Sequence, residues 1–192
     1  MSTRSAVGAP VAELGAALEM LDAVIRVRVE ERRGGPAGRP LAPFPATGSG
    51  GEAGSAAADE GIPPLERYDG GGPLASTIAM AGLGPAEALV LVAAVAPFVD
   101  ERFAAAYATL TDRPAVTGLT GEVARTLAAR TLAGRLDVTA LLSEAGTLRA
   151  TGLLTLDPLD DLSGTLRPDP PLLAWLLGQP PPPPRVDRKS VV

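Results

Sequence analysis

The sequence has no cysteine and no histidine. Without cysteine there are no disulfides and no thiolate metal sites. Without histidine the commonest metal ligand and the commonest general base near neutral pH are gone. Aromatic residues make up only 3% of the chain. A core must therefore come from Leu, Val and Ala, and Leu and Ala favour helices. Of the 17 basic residues only Lys189 is a lysine. Positive charge is scarce overall, with 22 acidic residues and a net charge of -5, which disfavours a polyanionic partner. The longest apolar run, "ALVLVAAVAPFV", contains a proline and is too short to span a bilayer. No apolar stretch follows Arg4 in "MSTRSAVGAPVAELG", so no signal peptide is expected. These absences lead to the expectation of a soluble cytoplasmic protein.

Glycine and proline are abundant, at 22 and 20 residues. That many breakers cannot be spread through one helical body, so linkers are expected. Residues 1–33 carry an amphipathic helix over 11–33, with Leu14, Leu18, Leu21, Ile25 and Val29 stacked on one face. That face is expected to pack on the protein's own domain or a sister subunit, and docking on another partner is the alternative. Residues 34–73 read as a disordered Gly/Pro/Ala linker without apolar periodicity, in which Phe44 and Tyr68 are isolated aromatics.

Residues 74–178 carry the fold. Gly84 and Pro85 open a Leu/Val-rich helix that Pro97 is expected to break. The next helix places Phe98, Phe103, Tyr107 and Leu110 near one face. A third, "TGLTGEVARTLAAR", has Leu119, Val123 and Leu127 at four-residue steps. A shorter one with Leu141 and Leu142 inward stops at Gly146. "ATGLLTLDP" and "TLRPD" then read as short strands around a turn, and "PPLLAWLLG" as a last helix. The expected class is mainly α: a winged-helix-like domain with a two-stranded β wing, preceded by an amphipathic helix and a disordered linker.

No pattern in the chain demands catalysis, and no catalytic, cofactor-binding or metal residue is assigned. Adjacent Asp100 and Glu101 diverge on a helix, so they read as a helix start and a solvated face. Asp157, Asp160 and Asp161 crowd one loop but lack the alternating ligands and terminal Glu of a calcium loop. Trp175 lies on a Leu-rich helix and is expected in the core. "GGGPLAST" lacks the lysine of a P-loop. The helix before the wing is flanked only by Arg135 and Arg149, and the wing is acidic. A phosphate-contacting face needs several basic residues. Nucleic acid binding is therefore not expected, and a small DNA-binding regulator is the alternative to a protein-contact role.

The run from Gly82 to Leu127 resembles the N-terminal winged-helix domain of a bacterial family of AAA ATPases, the CDC48-like proteins. Some of these are encoded beside contractile injection systems. Glu87, Pro97, Asp100, Arg102, Phe103, Tyr107 and Leu110 match that pattern, followed by "RPAV", "TGLLTL" and "TLRPDPPLLAWLLG". "MLDAVIRVRVEERR" is similar to the helix that opens those proteins. Gly118 and Gly121 inside the third helix, and Pro170-Pro171, depart from the pattern. The resemblance implies a protein-interaction domain that precedes an ATPase module, with ATP and magnesium held in that module. It also implies a homo-hexameric parent.

The end of the chain fits a fragment. Residues 179–186 read as a Pro-rich linker. Residues 187–192, "DRKSVV", hold the lone lysine and back-translate to a common sequencing adapter, so they are expected to be foreign to the gene. The parent is then expected to continue past Val186 into a P-loop module.

Overall fold

A computed structural model describes residues 8–34, 60–114, 117–157 and 163–179. In chain order they form α1 (Gly8–Gly34), a 3-10 turn (Leu65–Tyr68), α2 (Pro73–Ala81), α3 (Pro85–Val99), α4 (Arg102–Thr111) and α5 (Gly121–Ala128). α6 (Leu132–Leu141), α7 (Thr147–Ala150), β1 (Leu154–Asp157), β2 (Thr165–Pro168) and α8 (Pro170–Leu176) follow. The mainly helical class with a two-stranded antiparallel sheet is as expected from the sequence. Residues 35–59, with Phe44, and the tail from 180 lie outside the described residues.

Helix α3 is the centre. Residues Ala88–Ala96 are all buried, and α1, α4, α5, α7 and β2 surround the helix. A helix apolar on every side is stable only when covered on every side. Its start follows local rules: Pro85 takes the first helical position, and the Glu87 carboxylate accepts the Gly84 N–H at 2.8 Å.

Pro97 does not end this helix, contrary to expectation; α3 runs on to Val99. Proline has no N–H to give the carbonyl four residues back. That carbonyl belongs to Ala93, and the buried Tyr107 hydroxyl donates to it instead at 2.8 Å. The two residues compensate one another. Tyr107→Phe should therefore leave a buried carbonyl without a partner and cost about 1–3 kcal/mol. Urea unfolding that shows a lower midpoint at an unchanged slope would check this.

Phe98 consequently belongs to the end of α3 and is 49% exposed. It does not share the face of Phe103, Tyr107 and Leu110. Helix α4 starts instead at Arg102, whose N–H is taken by Asp100 Oδ1 at 2.9 Å. The helix over 117–130 is also shorter than expected. Leu119 is extended, and its carbonyl accepts the Leu166 N–H at 2.7 Å. Thr120 bridges Thr165 and caps α5 by accepting the Val123 N–H at 3.3 Å. Gly118 and Gly121 therefore precede and open a helix rather than interrupt one. In the wing, Leu154, Leu156, Leu166 and Pro168 face the core, while Thr155, Asp157 and Arg167 face outward.

Residues 60–72 are not linker. Ile62 and Tyr68 are buried among the core residues, and α1 packs on the 3-10 turn as well as on α2, α3, α4, α5 and α8. The "GGG" at 70–72 has a steric reason. Glu13 of α1 takes the Gly72, Leu74 and Ala75 N–H groups at 3.0, 2.9 and 3.0 Å. These are the orphan donors at the start of α2. A Cβ on Gly70 or Gly72 would lie 2.8 or 2.4 Å from the Glu13 side chain. A stretch that looks like a spacer is the seat of a carboxylate from far away in the chain.

Candidate functional site

The face open to a partner on the winged side is built by α6, the turn after it and the wing. Thr131 starts α6 by accepting the Gly134 N–H at 3.0 Å. Val138 turns inward, and Arg135, Leu136 and Asp137 turn outward. Residues 132–169 hold six acidic and three basic side chains, a net of -3. Arg167 faces Asp157 at 3.5 Å, and Arg149 donates to the Leu142 carbonyl at 3.4 Å. Among the described residues this leaves Arg135 as the uncommitted cation of the face, beside an exposed Leu136. Asp157 points outward on β1; Asp160 and Asp161 lie outside the described residues.

Arginines gather beside the start of α6, between the end of α1 and the α5–α6 turn, where Arg28, Arg32, Arg130 and Arg135 line one cavity. Arg28 is only 4% exposed. Its Nε and Nη2 donate to the Leu127 carbonyl at 3.0 and 2.9 Å, and Nη2 also donates to the Glu60 carbonyl at 2.5 Å. It thus caps the C-terminal end of α5, where carbonyls lack partners. Glu31 joins Arg28 at 3.1 Å to Arg130 at 2.6 Å.

The Glu60 carboxylate completes the cluster at the start of α6. It accepts the backbone N–H groups of Arg130 and Thr131 and the Thr131 hydroxyl. Gly134 leaves it room, since a Cβ there would come within 2.4 Å of Glu60 Oε1. Burial opposes charge on Glu60. The Thr131 hydroxyl, those two N–H groups and the Arg28 charge outweigh it and hold the carboxyl below the usual glutamate range. Burial likewise opposes charge on Glu31, and bonds from Arg130 and Arg28 outweigh it in the same way. Burial pulls the Arg28 guanidinium below the ordinary arginine value. The cluster is a set of internal ties: each donor named here already has its acceptor inside the fold. The sequence carried one signal for it. Arg28 continues the stripe Leu14, Leu18, Leu21, Ile25 by three residues, so it sits on the buried face.

The other singled-out residues separate. Asp100 caps α4 and pairs with Arg102 at 2.5 Å, while Glu101 is exposed beside it. The Arg102 bonds hold the exposed Asp100 carboxyl below its usual range. Trp175 is 42% exposed, not in the core. On the short α8 it is Leu172 and Leu176 that turn inward. "GGGPLAST" does not fit a nucleotide, because its amides at Gly72, Leu74 and Ala75 already hold the Glu13 carboxylate. Among the described residues no group of acidic side chains is arranged to hold a metal ion. Also among them, no helix is long and apolar enough to cross a membrane.

Helices, then a two-stranded wing and a closing helix is the order that the sequence suggested; the bridge at Thr120 is added by the structure. Comparison with known proteins agrees at the level of the family. A family model described as "Winged helix domain, variant" matches residues 2–188. No curated protein and no solved structure matches the chain. The chain belongs to the variant winged helix domain family.

Proposed function

We propose that this winged helix is a non-catalytic protein-contact domain, the N-terminal module of a bacterial AAA ATPase. It recruits a substrate or partner protein, or supports the ATPase oligomer. One observation carries the protein-contact reading. Among the described residues, the outward face of α6 and the wing offers a single uncommitted cation, Arg135, next to an exposed leucine. A duplex-binding face needs several phosphate contacts, each made by a basic or N–H donor. Exposed apolar side chains support the same reading. Besides Leu136 they include Phe98, Val99, Trp175 and Met80, the last 88% exposed. Aromatic residues and methionine are enriched where proteins meet proteins. The ATPase parent rests on the resemblance of the 82–127 run and the closing "TLRPDPPLLAWLLG" to that family. ATP and magnesium would belong to its motor module, not to these residues.

An electrophoretic shift assay at low salt tests the reading. Mixed-sequence duplex DNA should show no shift with the full chain. A clear shift that weakens as salt rises would overturn the protein-contact role and favour a DNA-binding regulator.

A further inference from the structure

Helix α1 has two apolar faces. Leu14, Leu18, Leu21 and Ile25 are buried against the rest of the fold. Ala16, Met20, Ala23 and Val27 form the second face, which is left open. Ala16 and Ala23 are exposed, Met20 is half-buried and Val27 is 44% exposed. The steps of four, three and four residues are those of a helix–helix seam. Ile62, Pro63 and Pro64 stand across from this face and make it one wall of a groove of about 640 Å³.

The seam is complementary to itself. Run against a copy of itself in the opposite direction, it sets Met20 against Ala23 and Val27 against Ala16. Each large side chain then meets a small one. Glu19 and Arg26 flank the seam on one side, seven residues apart, and both are exposed; Arg26 also pairs with Asp22 of its own helix at 2.5 Å, an exposed pair that leaves guanidinium donors over. In the antiparallel arrangement Glu19 of each copy meets Arg26 of the other, twice over. A parallel pair would instead face Glu19 with the apolar Val24 and leave both Glu19 carboxylates without a partner across the seam. A self-complementary patch of this kind closes as a two-fold pair.

We propose that the occupant of this groove is a second copy of the chain, with the two α1 helices packed antiparallel about a two-fold axis. The proposal does not depend on the ATPase reading. Sedimentation velocity of the full chain should show the mass rising from 19.4 kDa toward twice that value as concentration is raised. Ala23→Glu puts a carboxylate in the seam and should stay monomeric. Glu19→Arg and Arg26→Glu should each weaken association about tenfold, because like charges then meet. The double variant Glu19→Arg/Arg26→Glu restores both pairs and should return to within about threefold of the parent. All three positions are exposed, so each variant should still unfold in one cooperative thermal transition, lowered slightly in Arg26→Glu by the loss of the exposed Asp22 pair. A monomer at every concentration would overturn the proposal, as would an Ala23→Glu protein that still dimerises. A folded double variant no stronger than the single ones would do the same.

Discussion

A chain trimmed to residues 60–179 should show no cooperative thermal transition by circular dichroism, while residues 8–179 should show one. Helix α1 contributes Leu14, Leu18, Leu21 and Ile25 to the core, all buried. Burying a side chain of this size stabilises by about 1.5–3 kcal/mol. Four of them come to about 6–12 kcal/mol, against a typical domain stability of about 5–15 kcal/mol. Losing α1 also removes the Glu13 cap from α2 and the Arg28 cap from α5. Residues 74–178 hold the wing and most of the core, but the burial of α1 against them argues that they will not fold alone. A sigmoidal melt from the trimmed chain would contradict this.

Arg28→Ala should be the most damaging single substitution on the polar side, at about 2–6 kcal/mol for two buried carbonyls that each cost about 1–3 kcal/mol when left without a donor. Nothing else in the cluster reaches the Leu127 and Glu60 carbonyls together. Removing the guanidinium leaves both short of a donor inside the fold and leaves Glu31 with Arg130 alone. Arg28→Lys should recover only part of the loss, because a compact ammonium cannot fork toward three acceptors. Denaturant midpoints for the three proteins, at equal slopes, are the check.

The same cluster contributes to stability against acid. Glu60 and Glu31 have carboxyls held below their usual range in the folded protein. A depressed folded value means the unfolded chain binds more protons as pH falls toward it. Their contribution is present above the ordinary glutamate value of about 4.3. It is lost as pH drops through the lower folded values. Arg28→Ala should shrink that acid-side loss, since it removes one cause of the depression at both residues.

Much of this was legible in the residues. The stripe on α1, the opening of α3 by Gly84 and Pro85, the two short strands and the acidic wing face all follow from spacing and local chemistry. Most of what was missed has one physical character: it depends on a partner distant in sequence. Pro97 looked like a stop because proline removes a bond locally; the bond is made good by Tyr107 from the next helix. Residues 60–72 looked like a spacer because their glycines bury no side chain. Their role is to receive Glu13, while Glu60 reaches the start of α6. Trp175 was expected inside from the richness of leucine around it. On so short a helix only the positions four apart, Leu172 and Leu176, turn inward.

Helix α1, the segment around Glu60 to Gly72 and the winged helix should open as one unit. Native-state hydrogen exchange, read amide by amide, tests it most directly. Amides of Leu21 and Ile25 in α1, of Leu74 and Ala75 under Glu13, and of Val92 in α3 should share one opening free energy, equal to that of global unfolding. Amides of α1, or those under Glu13, that open at a distinctly lower free energy than Val92 would contradict it.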